Sequence, residues 1–175
     1  MNKHLHKNKY TMKTTTDYRR LKALIIKAIF LVILFAFLVM VYSAGTAKNV
    51  PVNKIEKAMT SSRYTQGMQT QTPRELARYM KLSSTDFDGF YYARSTENLA
   101  VDEVLVIKAK SRSQLNSLKD AVETRVNQQT KNYQGYAPKQ VAKLKNYKVL
   151  TKGKYLFYCV ADKPDKISEV FTDVI

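Results

Sequence analysis

The sequence predicts an α+β chain. A transmembrane helix near the N-terminus precedes a mostly antiparallel four-stranded sheet with helices on one face, in the order helix, hairpin, helix, hairpin, helix. Three observations lead there. Residues 28–47 carry no charged side chain. Further on, two pairs of apolar, β-favouring runs are each joined by turn residues. Each pair is followed by apolar residues at steps of three and four, the spacing of one helix face.

The apolar run comes first. Ala28 to Tyr42 is apolar throughout and Ser43 to Ala47 is small and uncharged, so the segment makes about 30 Å of helix at about 1.5 Å per residue. A soluble core helix would show a polar face; this one shows none. Leu24-Ile25-Ile26 lengthens the run if Lys27 snorkels to the headgroups. Ahead of it lie Lys3, Lys7, Lys9, Lys13, Arg19, Arg20, Lys22 and Lys27 against one acid, Asp17; behind it only Lys48, Lys54 and Lys57 follow closely. This asymmetry predicts a single-pass cell-membrane protein with residues 1–27 as a basic cytoplasmic head and the C-terminal domain outside. A cleavable signal peptide competes, because Gly45-Thr46-Ala47 offers small residues for cleavage, but both the basic and the apolar stretches are long for one. No cysteine adjoins the run to accept a lipid. The head can attract anionic lipid or simply fix topology. It has the charge for DNA, but neither a helix-turn-helix pattern nor interleaved aromatics, and nucleic acid is not favoured.

Residues 48–71 read as a juxtamembrane segment, with a short helix through Ile55, Ala58 and Met59 and a polar loop from Ser61 to Gln71. Residues 72–175 read as the extracytoplasmic α+β domain. Thr72-Pro73-Arg74-Glu75 is a helix start, with a capping threonine, a first-turn proline and a glutamate three residues on. Phe90 to Ala93 and Val104 to Ile107 are the first two strands, the second apolar enough to be buried on both faces. Ser111 or Ser113 is placed to cap a long helix striped by Leu115, Leu118, Val122 and Val126. Pro138 starts a short helix through Val141 and Leu144. Lys148 to Leu150 and Tyr155 to Ala161 form the second hairpin about Lys152-Gly153. Ile167, Val170, Phe171 and Val174 make the face of a last helix.

Residues 48–175 contain no histidine, which removes the commonest general base and metal ligand and any histidine-activated nucleophile. Cys159, the only thiol, lies mid-strand in apolar surroundings, the setting of an inert cysteine. No cofactor, metal site or catalytic constellation is indicated. The acids Asp86, Asp88, Asp102 and Glu103 are ordinary turn and cap residues unless the fold opposes two of them across a substrate. Lys139, Lys143, Lys145, Lys148, Lys152, Lys154 and Lys163, with Tyr133, Tyr136, Tyr147 and Tyr155 among them, make a basic stretch able to steer an anionic wall polymer.

From about Ile55 onward the chain resembles domain-of-unknown-function family 4358, membrane-anchored or secreted domains of Gram-positive bacteria. The likeness rests on Ala100-Val-Asp-Glu-Val-Leu-Val-Ile-Lys-Ala-Lys110, Glu123-Thr-Arg125, Tyr136-Ala-Pro138 and Lys152-Gly-Lys-Tyr155, with Arg74 to Tyr79 and Asp86 to Phe90 in the same layout. It implies an extracytoplasmic α+β domain and no established activity, and it makes Glu103, Arg125, Tyr136 and Lys152 the candidate binding residues. Arg125, beside the helix stripe, is placed to fork onto Glu103. The expectation is a non-enzymatic binding or scaffolding module of the cell envelope. It contacts membrane lipid through residues 28–47 and an anionic wall polymer or envelope protein through its domain. The alternative is a histidine-free hydrolase or transferase accessory acting on envelope polysaccharide.

Overall fold

A computed structural model of the chain describes residues 7–44 and 47–175. Lys3, His4 and His6 of the basic head, and Gly45 and Thr46 of the small-residue cleavage motif, lie outside the described residues. The chain divides into two compact units, Met1–Gly45 and Thr46–Ile175.

In the first unit, α1 (Lys7–Ala44) is one continuous helix of 38 residues. Within it Arg20–Val41, 22 residues of mean hydropathy 3.1, is long and apolar enough to cross a membrane, the property that an anchor and a signal peptide share. Its large side chains lie exposed, Phe35 at 69% and Met40 at 70%. A helix this apolar needs a non-aqueous surrounding.

The second unit is a five-stranded, wholly antiparallel sheet with helices on both faces. In chain order come α2 (Val52–Thr60), β1 (Met68–Thr70), α3 (Pro73–Met80), β2 (Phe87–Ser95), β3 (Glu103–Ala109), α4 (Gln114–Tyr133), α5 (Pro138–Lys145), β4 (Lys148–Lys152), β5 (Tyr155–Val160) and α6 (Pro164–Val174). The strand order is β1-β2-β3-β5-β4. Three expectations are corrected here. The sheet has five strands, because Met68–Thr70, inside the stretch read as a loop, pairs with Ala93–Ser95; three residues are too few to show an alternating pattern. The helices also cover two faces, because β3 and β5 are buried along both sides, and an apolar strand surface needs cover wherever it faces. The simple helix–hairpin alternation is likewise broken, by β1 before α3, while α5 between α4 and β4 is the short helix expected from Pro138.

Side-chain alternation sorts the strands into two cores. Tyr92, Leu105, Ile107, Leu156, Tyr158 and Val160 point to one face, where α3, α4 and α5 contribute Leu76, Met80, Leu118, Val122 and Leu144. Tyr91, Val104, Val106, Phe157 and Cys159 point to the other, against Ile55 and Met59 of α2 and Ile167 and Phe171 of α6. Each such aliphatic or aromatic side chain contributes about 1.5–3 kcal/mol when taken fully from water. Helix α2, in the stretch that the sequence reading sets apart from the domain, is thus part of the second core.

Local signals act as the residue chemistry dictates. The capping box of α3 is complete, with Thr72 and Glu75 each satisfying the other's backbone N–H. The α4 start differs from the expected serine cap. Neither Ser111 nor Ser113 caps it; instead the Gln114 side-chain oxygen accepts from the backbone N–H of Lys110 (2.9 Å) and Ser111 (3.3 Å). The β4–β5 turn is Gly153-Lys154, with positive φ at the glycine alone, as a type II′ hairpin turn requires.

Candidate functional site

β3 begins with Glu103, and alternation sends its side chain to the same face as Leu105 and Ile107, beneath α4. The registers place Arg94 and Val160 directly across from Glu103, and Tyr92 and Tyr158 on either side of Leu105. Both tyrosines therefore stand two positions away on the same face, where a long side chain reaches diagonally. Their hydroxyls donate to the two carboxylate oxygens, Tyr158 to Oε1 and Tyr92 to Oε2, each at 2.8 Å. From α4 above, Arg125 forks onto the carboxylate, Nε to Oε1 and Nη2 to Oε2, both at 3.2 Å. One turn later lies the Gln129 amide, which satisfies both neighbours when turned with its nitrogen toward Glu103 Oε1 (3.3 Å) and its oxygen toward Arg125 Nη2 (2.7 Å). Arg94 Nε adds an ion pair at 3.5 Å from Oε2. The Tyr79 ring of α3 lies against both guanidinia, 3.9 Å from that of Arg94 and 5.5 Å from that of Arg125.

Glu103 is completely buried. A carboxylate so placed is tolerated only when paired and fully hydrogen-bonded, and this one meets both conditions. Burial pushes the Tyr158 hydroxyl well above the usual tyrosine range, with the adjacent Glu103 charge adding to it. Tyr92 is pushed up for the same two reasons, burial first. For Arg125, burial works against the cation, but the Glu103 carboxylate outweighs it and the guanidinium is held more firmly charged. The knot is a set of locked donors around one acceptor. With both oxygens engaged, the carboxylate has no approach for a substrate and serves to fix α4 and α3 to the sheet.

The neighbouring acid faces elsewhere. Asp102 accepts from Lys143 of α5, both oxygens at 3.0 Å, and Lys143 also meets Asp162, just after β5, at 3.0 Å. Burial disfavours the Lys143 cation, yet its two aspartates more than compensate and raise its pKa. This trio lines an open cavity of about 440 Å³ together with Tyr64, Ser95, Thr96 and Glu97. The cavity sits at the Glu103 end of the sheet, because Ser95 follows Arg94 and Ala161 follows Val160.

Of the four candidate binding residues, the fold brings Glu103 and Arg125 together and separates the others. Tyr136 is 63% exposed in the α4–α5 loop, its ring 5.5 Å from Tyr133. Lys152 is at the opposite end of the sheet, opposite Tyr155, which pairs with Lys108, five residues along β3 from Glu103. Its ammonium donates to the Ile175 backbone oxygen at 3.3 Å. The basic stretch of lysines is likewise divided between the two ends, and Tyr155 in it is buried. Sequence reasoning missed Tyr92, Tyr158, Arg94, Gln129 and Tyr79. The signal for the first three was strand parity; for Gln129 it was the step of four from Arg125. Among the described residues no group of three or more histidine, cysteine, aspartate or glutamate side chains is placed to hold a metal ion. Cys159 is buried, and burial, with the charges of Asp102 and Glu103, pushes its thiol up.

No curated protein and no solved structure matches the chain. One family does, described as Domain of unknown function (DUF4358), over residues 60–161. That stretch takes in the whole Glu103 knot and, of the cavity-lining trio, Asp102 and Lys143; it stops one residue short of Asp162 and leaves out α6 and all of α2 but its last residue. With more than half of its length matched, the chain belongs to this DUF4358 family.

Proposed function

We propose that the protein is a single-pass membrane protein whose domain, outside the cell membrane, is a non-enzymatic binding module of the cell envelope. The carrying observation is the state of Glu103. The acid best placed for chemistry is built into the fold with both oxygens engaged, and it braces the end of the sheet that holds the open polar cavity. Glu103 and Arg125 are then positioning residues, and the ligand surface is the cavity rim of Thr96, Glu97, Asp102, Lys143 and Lys163. Its mixed charges suit a segment of an envelope protein better than a purely anionic wall polymer. The head stays in the cytoplasm because its basic residues outnumber those beyond the span.

Photo-crosslinking tests this reading in native membranes, with the reactive group at Thr96 or Glu97 of the full chain. A defined envelope protein captured from those positions, and not from a reactive group at Asp120 on α4, is the expected result. Capture of wall polymer alone would replace the protein partner. Failure to capture anything from the rim would sink the binding module. A hydrolase or transferase using Glu103 would instead show turnover of envelope glycan that Glu103→Gln abolishes without unfolding the chain.

A further inference from the structure

Ion pairs hold Lys143 and Lys148 at the Glu103 end of the sheet, where Lys139, Lys145 and Lys163 also stand, and the lysines of the other end are held by different groups. At the Glu103 end, Lys143 is paired with Asp102 and Asp162, and Lys148 with Asp165. At the other end stand Lys108 and Lys110 of the β3 exit, Arg112, Lys152 and Lys154 of the β4–β5 turn, and Lys48. Asp86, Asp88 and Asp173, two residues before the Ile175 that Lys152 reaches, are acids of that end. Its ammonium groups are oriented by backbone carbonyls: Lys108 by Val50 (3.3 Å), Lys110 by Thr85 (2.7 Å) and Lys154 by Lys110 (2.8 Å). A neutral carbonyl positions an ammonium without cancelling its charge, so this end keeps a net positive field. Lys108, Arg112, Lys154 and Asn49 also line a depression of about 360 Å³, shared with Asp88 and Ala47.

Ala47 supplies the second, independent observation. It packs on the β4–β5 turn so closely that a Cβ on Gly153 would come within 2.9 Å of its own. The domain therefore receives its chain at the basic end. Five residues separate Ala47 from Val41, the last residue of the apolar span, a reach of at most about 20 Å. A positive surface tethered that close to a bilayer meets lipid headgroups before any other anion.

We infer that the basic end of the sheet, Lys48, Lys108, Lys110, Lys152 and Lys154, is a docking surface for anionic lipid headgroups of the membrane that holds the anchor. The inference rests on the anchor reading above. Docking of this end directs the cavity at the other end away from the bilayer, toward the envelope.

The test uses the full chain in vesicles of phosphatidylcholine alone and of phosphatidylcholine mixed with phosphatidylglycerol. Flotation after a carbonate wash reports the anchor, and amide hydrogen exchange reports docking. The expected result is flotation with both vesicles. Exchange over residues 108–112 and 152–154 should be slower only with the anionic lipid, and this protection should be lost in high salt and in Lys110→Gln/Lys154→Gln. The control Lys139→Gln/Lys145→Gln, at the other end, should keep the protection. Near-ultraviolet circular dichroism verifies that both variants fold. Flotation with equal exchange in the two lipids overturns the headgroup surface and leaves the anchor standing. Failure to float sinks the anchor and the headgroup surface with it. Loss of protection in the control variant reduces the effect to net charge and overturns the located site. Protection by inorganic phosphate with zwitterionic vesicles, without any effect of anionic lipid, assigns the depression to a free anion and overturns the lipid.

Discussion

Glu103 shows how much one side chain organises. Removing it leaves Arg125 and two tyrosine hydroxyls buried without their acceptor, a loss of about 3–5 kcal/mol by the usual measure for breaking a buried pair. Denaturant titration of Glu103→Ala, followed by near-ultraviolet circular dichroism, should show that loss. Glu103→Leu combined with Arg125→Leu should recover much of it, because no charge is then stranded; equal losses in the single and double variants would refute the knot. The tyrosines add a pH dependence. Tyr92 and Tyr158 hold their protons more tightly folded than unfolded, where the pKa is about 10. Their stabilisation is complete below about pH 10 and falls above it by about 1.4 kcal/mol per pH unit for each. Absorbance at alkaline pH should therefore show the exposed tyrosines ionising first and these two only as the fold collapses. Gradual ionisation of every tyrosine in an intact fold would contradict the burial. Cys159 should resist a water-soluble disulfide reagent until denaturant is added.

At the scale of elements, close approach decides which substitutions matter. α2 crosses β2 where Gly89 has no side chain, and a Cβ there would stand 2.9 Å from Val52 Cγ2. Gly89→Ala should cost about 1–3 kcal/mol by overpacking, relieved by Val52→Ala in the same chain; thermal melting of the pair reads it. An undiminished melting temperature in Gly89→Ala would mean that α2 does not seat there. The Glu103 knot joins β3 to α3 and α4 on one face of the sheet, while α2 and α6 cover the other. The two faces are thus secured differently, one by an ionic knot inside an apolar core and one by apolar packing with the Tyr155 hydroxyl tied to the Val50 backbone.

For the whole molecule, the family match from residue 60 to 161 covers only part of what folds. Without α2 and α6, the face formed by Tyr91, Val104, Val106 and Phe157 is left in water, an apolar patch large enough to drive association. The excised segment 60–161 should aggregate or lack near-ultraviolet signal, whereas 47–175 should fold. A monomeric, cooperatively melting 60–161 would show that the second core is dispensable.

The sequence by itself determined the elements with strong local chemistry. The apolar span declares itself by the absence of charge over residues 28–47. The α3 start follows from Thr72-Pro73-Arg74-Glu75, the stripe of α4 from its three-and-four spacing, and both long hairpins from their turns. The pairing of Glu103 with Arg125 was also legible, from an arginine beside that stripe and an acid at a strand start. What only the tertiary structure decided was non-local. β1 is recruited by β2 rather than by its own three residues, and α2 and α6 are drawn to the second face because β3 and β5 are apolar on both. Tyr92, Tyr158 and Arg94 meet Glu103 only once strand register is set, since register depends on contacts between segments far apart in the chain. The separation of Tyr136 and Lys152 from that knot has the same origin. Short motifs in a fixed order along a chain carry no information about which end of a sheet they reach.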